Sequence, residues 1–217
     1  RAAISLPTLS FSGAMAAEEW GIIDSKYDWS TGAYNQVFRV HPDWQGKVIA
    51  DLNFELPAHA HNRQDAIRCT YEYADFIRQF TDSLTVPKEA YPDGITVLSP
   101  IETWSDDFSM AIAGIPSTVN DFSAGPFMQN YYHSQYDNQD VYQEAVYQFH
   151  HECYLKLIMA IDRLVLPPMN FSNTMNAVAE SIHEMHSHLL ILSRMFCSET
   201  CRQLPLLPKI FMTNMPD

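Results

Sequence analysis

The 217-residue sequence predicts an α/β fold: a mainly parallel sheet flanked by helices, followed by a C-terminal helical hairpin. Three observations carry this. Strand-like and helix-like segments alternate over residues 1–138, which suits parallel strands joined by crossovers. Residues 47–54, Lys-Val-Ile-Ala-Asp-Leu-Asn-Phe, are apolar enough for a strand buried on both faces. Beyond residue 138, two long helix-like segments are separated by Leu166-Pro167-Pro168-Met169, where proline removes a donor and crowds the preceding turn.

Taken in order, residues 8–14 and 47–54 read as strands. Residues 63–84 carry Ile67, Tyr71, Ala74, Ile77 and Phe80 at helical spacing, predicting an amphipathic helix on the sheet. A turn-rich loop at 87–94 leads to a strand at 95–98, a short helix at 106–113 and a strand at 115–120. The segment 139–165 and the segment 172–202 form the hairpin; the second bears Met175, Val178, Ile182, Met185, Leu189 and Leu192 three and four apart. The expected organisation is one α/β portion over 1–138 and a helical extension over 139–217, either a dimerisation region or a cap on the sheet. There is no internal repeat or low-complexity tract.

With 26 acidic against 13 basic residues, the formal charge is −13 and the pI about 4.9. Nucleic acid and anionic membrane surfaces are therefore poor partners. No apolar stretch reaches bilayer-spanning length and the first residues do not resemble a signal peptide. The expectation is a soluble protein leaning cytoplasmic, with secretion left open. Cys69, Cys153, Cys197 and Cys201 are expected as free thiols; adjacent helical turns could bring the last two sulfurs near each other, but a relaxed disulfide there would need local distortion.

The chemistry begins at Ala16-Ala17-Glu18-Glu19-Trp20-Gly21. Adjacent carboxylates repel, so a pair on a rigid turn is stabilised by a cation or a shared proton. Downstream come Asn53-Phe54-Glu55 closing a strand, Trp104-Ser105-Asp106-Asp107-Phe108 leading to Gly114-Ile115-Pro116-Ser117, and Tyr131-Tyr132-His133-Ser134-Gln135-Tyr136-Asp137. In this order the blocks resemble the zinc-dependent exopeptidase family of bacterial aminopeptidases, glutamate carboxypeptidase and the non-catalytic transferrin receptor.

That resemblance implies two zinc ions in a complete protein. It makes Glu18 the general base, Glu19 and His133 ligands of one zinc, and Glu55 a ligand of the other. Tyr132 takes the place of a phenol near the developing oxyanion. Two departures accompany it. Relatives generally carry Asp where this chain has Glu55, whose extra methylene displaces the oxygens; Asp51 is a fallback ligand. A His-x-Asp pair and a bridging Asp belong upstream of the glutamates, yet neither residue type occurs among residues 1–17. The expectation is therefore the C-terminal part of a catalytic domain, its remainder elsewhere or on a separate chain, or an incomplete homologue without activity. His41-Pro42-Asp43 has the His-x-Asp spelling but is expected as a surface loop.

His150 and His151 read as polar helix surface, and His59 and His61 as loop residues able to approach a cleft. His183, His186 and His188 are wrongly spaced for a zincin helix. No base lies in Thr118-Val119-Asn120-Asp121-Phe122 to receive a substrate carboxylate. Aminopeptidase-like hydrolysis of peptides is expected, with pocket walls from Trp104, Phe108, Phe122 and Phe127; glutaminyl cyclisation occurs on the same fold. The rival expectation is a receptor-like binding module that pairs as a homodimer.

Overall fold

The computed structural model describes residues 31–103, 105–120, 126–132 and 134–203, with side chains as far as residue 188. The strand expected at 8–14 lies outside the described residues. Four strands form one sheet: β1 (Asp51–Asn53), β2 (Asp65–Cys69), β3 (Ile95–Leu98) and β4 (Ser117–Asn120), in the order β1-β4-β2-β3. The pairs β1–β4 and β2–β3 are parallel, whereas β2 and β4 are antiparallel, with Ile67 opposite Asn120. The sheet is thus mixed, mostly parallel, and flanked by helices.

The helices are α1 (Thr31–Asn35), α2 (Ala74–Thr81), α3 (Asp107–Ile112), α4 (Pro126–Asn130), α5 (Glu144–Asp162) and α6 (Phe171–Gln203). The single helix expected over 63–84 is corrected. Its first part is the central strand β2, with Asp65, Ala66, Ile67 and Cys69 buried, and helix begins only after Thr70, whose ψ of 152° is extended. Short apolar runs satisfy both periods, and here pairing on both edges decides for strand. Only Ala74, Ile77 and Phe80 use the helical spacing to face the core. Likewise the strand expected over 47–54 contracts to Asp51–Asn53.

The main core gathers Ile67, Cys69, Tyr73, Ile77 and Phe80 with Cys153, Leu157 and Ile161 of α5. The helix α5 therefore covers the sheet. Asn170 extends this unit: its N–H donates to Glu72 O at 2.8 Å and its Nδ2 to Asp75 Oδ2 at 2.7 Å. Cys69 and Cys153 are free and buried, and burial pushes their thiols up to about 11 and about 12, so both are unreactive.

The residues divide into two compact units at Asn173/Thr174. In the second, Met175, Val178, Ile182 and Met185 of α6 are 48 to 66 % exposed along one helical face. Among the described residues no helix is long and apolar enough to cross a membrane.

Candidate functional site

Because β1 and β4 are parallel neighbours, their carboxyl ends open on the same sheet edge, where α/β proteins commonly place ligands. Glu55 follows β1 there, and Asn120 ends β4. The Asn120 amide acts as a further rung: Glu55 N–H donates to its Oδ1 at 2.8 Å, and its Nδ2 donates to Glu55 O. Asn53 Nδ2 reaches Glu55 Oε1 at 3.3 Å and Asp107 Oδ1 at 3.1 Å. The carboxylate of Glu55 is thereby aimed by a neighbour on its own strand.

Two further acids lie near this network, Asp107 buried and Asp51 half-buried. Burial raises the Asp107 carboxyl, opposed by hydrogen bonds from Ser105 and Asn53. Burial, then repulsion from Asp107, pushes Asp51 up to about 8 against a hydrogen bond with Ser117. Asp51 Oδ2 and Asp107 Oδ2 are buried with no hydrogen-bond partner among the described residues. The surroundings of Asp51 thus favour its protonated form.

The chain then turns sharply: Leu56 has φ 41°, in the left-handed region that a side chain rarely adopts. Three histidines hold the turn and the segment leaving it. A carbonyl can only accept, so the nitrogen facing each must carry the hydrogen. His61 Nε2 donates to Leu56 O at 3.1 Å, His150 Nδ1 to Pro57 O at 2.8 Å, and His59 Nδ1 to Val141 O at 2.8 Å. Beside the turn is a cavity of 370 Å³, walled chiefly by Leu56, Pro57, His59, Phe127, Val141 and Tyr142, with Asp137, Asn138 and Gln139 on one side.

Tyr132 packs with Leu56 and Phe108 on the buried Ile101–Val119 cluster, and its ring centroid lies 6.3 Å from that of Phe127. The structure thus brings Glu55 and Tyr132, two of the sequence-predicted site residues, to one region, with Phe127 on the cavity wall. Phe108 belongs to the Ile101–Val119 cluster. Glu18, Glu19, His133, Trp104 and Phe122 lie outside the described residues. His41 stacks on Trp44, with ring centroids 4.4 Å apart, and Asp43 pairs with Lys47 at 3.2 Å, as fits a surface loop.

Two histidines depart from expectation. His150 is 1 % exposed rather than surface, with Nε2 3.3 Å from both Asp65 Oδ1 and Tyr91 Oη. His61 is also buried, which lowers its pKa. A sequence signal for His150 existed: it continues the apolar spacing of Val146, Cys153, Leu157 and Ile161.

No family model, curated protein or solved structure matches the chain. Among the described residues no group of three or more His, Cys, Asp or Glu is arranged to hold a metal ion.

Proposed function

We propose that the chain takes part in metal-dependent hydrolysis of peptide bonds, aminopeptidase-like, with Glu55 as one ligand. The observation that carries this reading is Glu55 itself: an acid fixed at the carboxyl edge of a parallel strand pair, by Asn120 through its backbone and Asn53 through its side chain, beside a largely apolar cavity. Carboxylate and imidazole donors suit zinc, so Glu19 and His133 would complete the contribution of this chain to the metal. Zinc, when bound, acidifies water and polarises the scissile carbonyl. Glu18 then accepts the proton from water and returns it to the leaving amine. Tyr132 offers its phenol to the oxyanion, and the cavity receives an apolar or aromatic side chain.

The test is Glu18→Gln in the complete protein. Metal content should stay unchanged while peptide turnover falls by roughly a hundredfold or more, since a general base contributes about that much. Turnover within threefold of wild type removes Glu18 from the role.

A second reading, a non-catalytic binding and dimerisation module, is favoured by one observation: the exposed apolar seam of α6.

A further inference from the structure

We infer that His61 and His150 are positioning residues that jointly lock the turn after Glu55. They thereby fix both the candidate ligand and the cavity wall. The inference rests on the hydrolase reading for what Glu55 does, and on geometry alone for how it is held.

Consecutive carbonyls are captured from two elements. His61, just before β2, takes Leu56 O at 3.1 Å; His150, on α5, takes Pro57 O at 2.8 Å. The two rings thus act on carbonyls one residue apart. Leu56 sits at φ 41°, a conformation whose cost must be met by its surroundings. Two buried donors on adjacent carbonyls are such a surrounding, because release of either carbonyl would leave a buried donor unsatisfied.

Each ring is itself held. Asp65 Oδ1 and Tyr91 Oη lie 3.3 Å from His150 Nε2, and Tyr154 stacks at 5.9 Å between ring centroids. Phe127 meets His61 edge-on at 4.5 Å. The same segment supplies Leu56, Pro57, Ala58 and His59 to the cavity lining. Its far end is pinned as well, since Gln143 N–H donates to Ala58 O at 2.7 Å and Ala60 N–H to Gln143 Oε1 at 2.7 Å. A shift of the Leu56 turn therefore moves the acid and the pocket together. Partners that orient a metal-ligating group typically change metal affinity ten- to a hundredfold when removed.

The experiment uses the full chain and four variants: His61→Leu, His61→Gln, His150→Leu and His150→Asn. Gln places an N–H near the position of Nε2, and Asn near that of Nδ1. The first readout is amide hydrogen exchange at Glu55, Ala60 and Gln143, whose N–H groups are hydrogen-bonded around the turn, and it needs no metal. The Leu variants should exchange at least tenfold faster there, with β3 amides unchanged; the Gln and Asn variants should stay within threefold of wild type. The second readout is zinc affinity, expected to fall ten- to a hundredfold in the Leu variants and to recover in the amides.

Exchange within twofold of wild type in the Leu variants overturns the proposal, as does failure of the amide variants to rescue a folded protein. Should a Leu variant unfold, the amide variant decides: tenfold faster exchange at Glu55 in folded His150→Asn overturns it. Raised exchange with unchanged zinc affinity removes the link to Glu55. A wild type that binds no zinc, as a chain without the upstream ligands can do, leaves the hydrolase reading to Glu18→Gln in the complete protein, and exchange alone then decides the lock.

Discussion

Asp51 keeps its proton in the folded chain to about pH 8, whereas in the unfolded chain it loses it near 3.8. Below pH 3.8 both states are protonated and the burial costs nothing extra. As pH rises from there to 8, the unfolded state releases a proton that the folded state retains, so stability falls across that window. Asp51→Asn removes the effect, because an amide does not titrate in this range. The stability difference between variant and wild type in urea should be larger at pH 8 than at pH 4 by at least about 1 kcal/mol. Equal differences would show that Asp51 is ionised in the fold. At this scale Glu55 was legible, as an acid closing an apolar strand, and so was Asn53 beside it. His150 was not, because its residue type suggests surface while its spacing places it on a buried helix face.

Among elements, α5 ties most of the first unit together, since Cys153, Leu157 and Ile161 meet Ile67 of β2 and Ile77 of α2 in one core. Leu157 is 2 % exposed and Leu155, half a turn away, is 59 % exposed. Leu157→Ala should destabilise by about 2–5 kcal/mol through lost burial and the cavity left behind. Leu155→Ala should stay within about 0.5 kcal/mol. Comparable losses in chemical denaturation would mean that α5 is rotated relative to the sheet. The 139–165 segment was recognisable as helix from composition and its Pro stop, though it begins at Glu144 after a short 3-10 turn, Gln139–Val141. Segment 63–84 was misread because five residues of strand and eight of helix, joined at Thr70, happen to share one helical spacing across the junction.

For the whole molecule, layering was the legible property: strands alternating with helices gave the α/β class, but not the reversed pairing of β2 with β4. Pairing direction depends on which strands meet in space, and local spacing does not carry it. The second unit sets its own test. Met175, Val178, Ile182 and Met185 recur three and four apart and are exposed on α6, a seam of the kind that pairs helices. On the dimer reading, Ile182→Glu with Met185→Glu gives a monomer in sedimentation velocity with unchanged far-UV circular dichroism. Each substitution acts twice at a twofold interface, so the effect is large. A monomeric wild type would sink the pairing.

The reversal within the sheet decides who can be neighbours. Since β2 runs against β4, with Ile67 opposite Asn120, the start of β2 lies at the edge where β4 finishes. Asp65 and the preceding His61 are thereby delivered next to the stretch after Glu55. In an all-parallel sheet, a five-residue strand would carry its first residue to the opposite rim, roughly 13 Å away at 3.3 Å per residue. Neither Asp65 nor His61 could then meet the chain leaving β1. One strand's direction thus converts two distant segments of sequence into a single frame around the acid.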